Sequence, residues 1–137
     1  MPRWTCPQCD REFARAGQSH VCVPGNTVAD TFRERPWQRE IYDVVMDHIH
    51  TLGPVHVDAV KVGVFLFSDR KFAEIRPMVR ALSVNLMMSR VVGHPRVGRT
   101  YRFALERHSS EVRLTEPSQV DDELREWITM AYDEATD

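Results

Sequence analysis

The sequence lacks the features that mark membrane-spanning and exported proteins. No apolar run in its 137 residues approaches the ~18 residues that a spanning helix needs, so we expect no membrane segment. The first residues lack the apolar stretch of a signal peptide. Three cysteines cannot all pair as disulfides within the chain. We therefore expect a cytoplasmic protein whose thiols stay reduced.

The signatures of common catalytic sites are also missing. The sequence contains no HExxH motif, glycine-rich nucleotide loop, nucleophile elbow or kinase signature. His48 and His50 lie two residues apart on a predicted helix, where their side chains diverge. An enzyme is therefore the less favoured class, and it would need a small-molecule pocket between the sheet and the helices.

All three cysteines lie with one histidine in the first 22 residues. Cys6-x-x-Cys9 supplies one pair of ligands in a tight knuckle, and His20-x-Cys22 supplies a second pair on one side of an extended segment. Zinc is typically held by four such ligands, and four protein ligands leave no open position for catalysis. The alternative is a buried thiol pair with an unrelated Cys and His. Because so short a segment buries too little apolar surface to fold without a staple, we predict a structural Zn²⁺ site formed by Cys6, Cys9, His20 and Cys22.

The remainder of the chain predicts an α+β domain. A turn signal at Val23-Pro24-Gly25 places the boundary between a Cys/His segment at 1–25 and a domain at 26–137. Pro36 begins a helix whose apolar stripe runs from Trp37 to Leu52. A second helix begins near Ser118 and Asp121. Its predicted buried stripe consists of Val120, Leu124, Trp127, Ile128 and Ala131.

Between the helices, apolar and polar residues alternate as they do in strands. Residues 62–67 are apolar on both faces and predict a central strand, whereas residues 72–76 predict a weaker one. With no helix between them, the strands predict an antiparallel meander of four or five strands. The alternation at 100–105 indicates that Tyr101, Phe103 and Leu105 point into the core.

Charge is divided unevenly along the chain, although the net charge is only −2. Residues 61–102 hold nine basic side chains against two acidic ones, and residues 116–137 hold eight acidic against one basic. The favoured interpretation of the basic stretch is a solvated sheet face. The alternative is a nucleic-acid-binding patch, on which Phe72, Tyr101 or Phe103 could stack bases. Its candidate contacts are Arg76, Arg80, Arg90, Arg96, Arg99 and Arg102.

Over nearly its whole length the chain resembles a bacterial family classed as a domain of unknown function, DUF5655. The residues that carry the resemblance include Cys6-Pro7-x-Cys9, Gly17-Gln18-Ser19-His20-x-Cys22, Gly53-Pro54-Val55, Lys61, Pro77, His94-Pro95-Arg96, Leu124 and Trp127. The resemblance implies a zinc-knuckle-like metal segment followed by an α+β domain. It implies no catalytic residue, because the family has no assigned activity.

Together these features predict a non-enzymatic binding or adaptor module. Its partner is an unidentified macromolecule, and nucleic acid bound by the basic 61–102 face is the alternative. The predicted architecture is an N-terminal zinc knuckle, a helix, an antiparallel sheet and a C-terminal helix.

Overall fold

The computed structural model describes residues 4–5, 12–13, 16–17 and 27–137. In the N-terminal part, β1 (Trp4–Thr5) pairs antiparallel with β2 (Glu12–Phe13). The predicted zinc ligands Cys6, Cys9, His20 and Cys22 lie outside the described residues.

Three helices follow in residues 27–137. They are α1 (Val28–Thr31), α2 (Pro36–His50) and α3 (Asp122–Glu134). Both long helices confirm the predicted apolar stripes, except that Trp37 is 37% exposed. Asp121, rather than Ser118, is the N-cap of α3, because its side chain accepts the backbone N–H of Leu124. None of these helices is long and apolar enough to cross a bilayer.

The main sheet has six antiparallel strands, so the prediction of four or five was too low. They are β3 (His56–Val60), β4 (Gly63–Phe67), β5 (Lys71–Pro77), β6 (Leu82–Met88), β7 (Val97–Ala104) and β8 (Arg107–Leu114). Their order is β3-β4-β5-β6-β8-β7. The sheet is therefore a meander only as far as β6, after which the last hairpin docks through its second strand.

This order corrects the predicted place of two strands. The 62–67 segment, expected at the centre, forms β4 and lies second from the edge, whereas the weaker 72–76 segment forms part of the central strand β5. β5 looked weak because Glu74 and Arg76 interrupt its apolar residues. In the structure both side chains lie on one side of the strand, while Ile75 is fully buried on the other.

The core lies between the helices and one face of the sheet. Ile75, Val84, Leu86 and Val112 project from the strands into a cluster that includes residues of α2 and α3. α1 joins the same side through Phe32, whose ring centroid lies 5.1 Å from that of Tyr42 in α2. The helices of residues 27–137 thus cover one face and leave the other without a helical layer.

The edge strand β7 contradicts the prediction that its aromatic residues point into the core. Tyr101 is 54% exposed, Phe103 43% and Leu105, in the turn after the strand, 78%. The reason is the side of the strand on which they lie: Tyr101 and Phe103 alternate with Arg99 on the side of β7 away from the helices, whereas Val97 packs against the core.

Candidate ligand-binding face

The side of the sheet opposite the helices, called here the open face, carries a row of polar side chains. Cross-strand partners Phe65, Glu74, Asn85, Glu111 and Arg99 follow one another across five strands. Because alternate residues of a strand point to opposite faces, these residues lie opposite the apolar core positions. The row forms one continuous surface of charged, amide and aromatic side chains.

A cleft of about 560 Å³ lies elsewhere, near the C-terminus, but the cleft on the open face is of similar size and far richer in charge. The open-face cleft measures about 530 Å³. It is lined by Val62, Glu74, Arg76, Pro77, Met78, Ser83, Asn85, Arg99, Thr100, Tyr101 and Glu111. Its charged residues come from strands that are far apart in sequence, which is why no local motif reveals it.

Glu74 is one of two carboxylates in this cleft and is only 7% exposed. Lys71 Nζ lies 2.6 Å from one of its oxygens, and Arg76 Nη2 donates to the other at 2.9 Å. Lys71 Nζ also lies 4.6 Å from the centre of the Phe65 ring. A largely buried carboxylate needs such cationic partners, so Glu74 organises the cations at this side of the cleft.

Glu111, the second carboxylate, is also 7% exposed. Ser83 Oγ donates to its Oε2 at 2.5 Å, and Arg113 Nε donates to its Oε1 at 3.1 Å. Asn85 Nδ2 in turn donates to Ser83 Oγ at 3.1 Å. These bonds fix the orientation of the Glu111 carboxylate at the edge of the cleft nearest β7.

The third component is an exposed aromatic pair on β7. The ring centroids of Tyr101 and Phe103 lie 6.0 Å apart with an interplanar angle of 61°. The guanidinium of Arg107 lies 5.7 Å from the Phe103 ring centre. Arg99, one step before Tyr101 on the same face, forms no ion pair with another residue of the described chain. Two accessible rings therefore lie beside a cation that is not neutralised within the described chain.

The six arginines predicted as one patch do not form one. Arg96 binds the start of α3, donating to Asp121 at 2.9 Å and to the Gln119 carbonyl at 2.7 Å. Arg76 is engaged by Glu74. Arg80 is exposed in the turn between β5 and β6, and Arg90 is exposed after β6. Only Arg99 and Arg102 lie on β7 with the aromatic pair.

His48 and His94 make contacts within the fold. His48 Nε2 lies 2.9 Å from Thr129 Oγ1 and 3.0 Å from the Arg125 carbonyl, which joins α2 to α3. His94 lies 3.2 Å from Glu123 and edge-on to Trp127. Within the described ranges, no group of three His, Cys, Asp or Glu side chains could hold a metal ion.

The sequence interpretation overlooked the two carboxylates and the hydroxyl and amide between them. Ser83 and Asn85 were visible as the polar side of an alternating strand, and Glu111 and Arg113 alternate in the same way around Val112. What the sequence does not encode locally is that β6 and β8 are neighbours, which is what brings Ser83 to Glu111.

Comparison with known proteins gives one family match. A family model described as Domain of unknown function (DUF5655) matches residues 28–135. This range contains the three helices and the whole open face. No curated protein and no solved structure gives a significant match.

Proposed function

The chain belongs to the DUF5655 family, and we propose that it is a non-enzymatic binding module whose partner is a single-stranded nucleic acid. The single observation that carries the proposal is the exposed pair Tyr101 and Phe103 beside Arg99 on the open face.

The exposed rings can stack on nucleic-acid bases. Single-stranded nucleic acids bind proteins through bases that stack on aromatic side chains, and this mode tolerates any sequence. Tyr101 and Phe103 are alternate residues of one strand with rings 6.0 Å apart. Two successive unstacked bases can therefore each meet one ring. Phe72, the third aromatic considered from the sequence, is fully buried and cannot take part.

Cations beside the rings can bind the phosphates of the same strand. Two cations lie near the rings: Arg107, whose guanidinium is 5.7 Å from the Phe103 ring centre, and Arg99, which forms no ion pair with another residue of the described chain. Arg102 lies on the same hairpin but on the opposite side of β7. Arg96 is not available to a phosphate, because it already forms ion pairs with Asp121 and Glu123. The phosphate contacts we propose are consequently those on the β7–β8 hairpin.

The carboxylates in the cleft favour binding over catalysis. Glu74 and Glu111 already accept hydrogen bonds from cations or a hydroxyl at both oxygens. Carboxylates that are held in place by such bonds can accept further hydrogen bonds from a ligand without taking a proton from it. The small-molecule enzyme, which was the third possibility from the sequence, therefore has less support than a binding module.

The experiment is fluorescence anisotropy with a labelled thymidine decamer at low ionic strength. Loss of one stacking ring removes about 1 to 3 kcal/mol per base, so Tyr101→Ala or Phe103→Ala should weaken binding roughly 5- to 150-fold. Leu105→Ala is the matched control, because Leu105 is an even more exposed apolar residue of the same hairpin and has no ring. Absence of binding to the decamer, or an equal loss in the Leu105 variant, would contradict the proposal.

We further propose that residues 1–25 hold a structural Zn²⁺ through Cys6, Cys9, His20 and Cys22, in a protein of the reducing cytoplasm. The pairing of Thr5 with Glu12 supports this, because residues 6–11, which carry Cys-x-x-Cys, connect the two strands. Elemental analysis should find one zinc per chain, and the Cys9→Ala protein should lose it. Purified protein without stoichiometric zinc would refute the site.

A further inference from the structure

We propose that Glu111 is a base-reading residue that makes guanine the preferred base beside Tyr101. This inference rests on the proposed nucleic-acid function and adds base selectivity to it. The observation behind it is a largely buried, oriented carboxylate at the border between the cleft and the exposed rings.

The orientation of Glu111 is fixed before any ligand arrives. Ser83 Oγ and Arg113 Nε bind one oxygen each, at 2.5 and 3.1 Å. A carboxylate has about four lone-pair directions, so each oxygen keeps the capacity to accept another hydrogen bond. A ligand that donates two parallel N–H groups fits such a group best.

Among the bases, guanine matches this requirement. Its Watson–Crick edge presents the N1–H and the N2 amino group side by side, and both can donate to the two oxygens of one carboxylate. Adenine and cytosine present an amino group next to an acceptor, and thymine or uracil presents a single N–H between two carbonyls. In each of these other bases an acceptor would face an oxygen of Glu111. The two acceptors repel each other and neither gains a hydrogen bond, so these bases bind less well.

The position of Glu111 suits a base that stacks on β7. β8 is the direct neighbour of β7, and Glu111 is the cross-strand partner of Arg99. Neighbouring strands lie about 4.8 Å apart, so Glu74, three strands away on β5, is about 14 Å from β7 and out of reach of the same base. Of the two carboxylates in the cleft, only Glu111 can thus contact a base held by Tyr101.

Gly98 leaves the approach to Glu111 clear. The register between β7 and β8 shifts between Val97 and Arg99, so Gly98 is an extra residue in the edge strand. A Cβ atom at Gly98 would lie 3.9 Å from Glu111 Oε1 and within 4 Å of no other atom outside its chain neighbours. Any larger side chain here would occupy the space above the carboxylate.

The experiment compares four heptamers in the same anisotropy assay with the full chain. One is all thymidine, and the others carry guanine, hypoxanthine or adenine at the central position. We expect the guanine heptamer to bind about tenfold more tightly than the all-thymidine one. Hypoxanthine lacks the N2 amino group and should fall between guanine and adenine.

Variants assign the preference to Glu111. Glu111→Gln keeps the shape of the side chain: its amide oxygen can still accept from Arg113 Nε, and its NH2 group can donate to Ser83 Oγ instead of accepting from it. Because one of the two acceptors is lost, the guanine-to-thymine affinity ratio should fall to about one. Gly98→Val should reduce the same ratio by filling the approach. Glu106→Gln is the matched control, since it removes one negative charge from the same hairpin outside the cleft, and it should keep the ratio. Thermal melting of each variant checks that the fold persists.

The outcomes separate the two proposals. Failure of every heptamer to bind overturns the proposed function itself. Equal affinity for the thymidine and guanine heptamers overturns guanine reading and leaves nucleic-acid binding intact. A guanine preference that persists in both Glu111→Gln and Gly98→Val overturns the role of Glu111.

Discussion

Tyr132 shows how one side chain joins distant parts of the fold. Its hydroxyl donates to the Pro54 carbonyl at 2.8 Å, and its ring meets Phe72 edge-on at 5.3 Å between centroids. Gly53 lies against it with φ +147°, a backbone conformation that other residues rarely adopt. The Gly53-Pro54 pair therefore does more than end a helix: it lets the chain pass directly over Tyr132.

Gly53→Ala should destabilise the protein through two separable causes. A Cβ atom would approach the Tyr132 hydroxyl to 2.6 Å, and the positive φ would be strained for any side chain. We expect a loss of about 2 kcal/mol or more in the free energy of unfolding. In a Tyr132→Phe background, itself weakened by about 1 kcal/mol, the alanine should cost less because the hydroxyl is gone. Urea unfolding of the four proteins tests this, and strict additivity would refute the contact.

Tyr42 should make stability fall at alkaline pH. Burial raises the pKa of its hydroxyl to about 12, and the residue is only 4% exposed. The neutral form is the one that the folded state favours. Its contribution is therefore complete below the unfolded pKa of about 10 and is lost as the pH rises from about 10 to about 12. Between about pH 8 and about pH 11, wild type should lose about 1 kcal/mol more than Tyr42→Phe. Identical pH dependence of the two proteins would exclude this role.

The helices and strands differ in how much of them the sequence predicts. The stripe from Ile41 to Ile49 predicts α2 and its buried face, because a helix buries one side wherever it packs. Strand alternation predicts which residues share a face but not which strands are neighbours. The docking of β8 beside β6 leaves β7 at the edge of the sheet and brings Ser83 to Glu111, and neither consequence can be derived from the local pattern. The sequence predicts the arginines of the candidate site from the local excess of basic residues. It does not predict that the carboxylates join them, because that depends on the order of the strands.

Asp121 should stabilise α3 both as a cap and as a charge. The backbone N–H of Leu124 and the Arg96 guanidinium lower the pKa of the Asp121 carboxyl. Asp121→Ala removes both contacts and should cost about 1 kcal/mol of unfolding free energy. Asp121→Asn keeps a good cap and loses only an exposed ion pair, so it should cost less than half as much. Denaturant unfolding of the two variants measures the difference.

The pH dependence of stability tests the charge contribution of Asp121 independently. A carboxyl whose folded pKa is lowered stabilises the protein above its unfolded pKa and loses that contribution as the pH falls through the folded pKa. The stability advantage of wild type over Asp121→Asn should thus shrink toward zero in acid. An advantage that persists undiminished at the lowest pH where the protein is folded would contradict the charge contribution.

Across the whole molecule, the fold redistributes the charge that the sequence separates. The acidic C-terminal part neutralises Arg96 through Asp121 and Glu123, and Arg70 through Asp137. Three cations that form no ion pair within the described chain, Arg99, Arg102 and Arg107, lie together on the β7–β8 hairpin. A protein of nearly balanced net charge can in this way present one locally basic surface to a polyanion.

This distribution predicts the salt dependence of nucleic-acid binding. Each phosphate contact to a single strand contributes about 0.7 to the slope of log affinity against log salt, so two to four contacts give a slope of roughly −1.5 to −3. Arg99→Ala should reduce the magnitude of the slope by about 0.7, since it removes one such contact. Arg90→Ala is the matched control: it removes an equal charge from a separate hollow beside Glu126 and Trp127, and the slope should stay unchanged. Anisotropy titrations over a series of salt concentrations measure all three slopes. If Arg90→Ala reduced the slope and Arg99→Ala left it unchanged, the phosphate contacts would lie on the helical side of the domain and not on the open face.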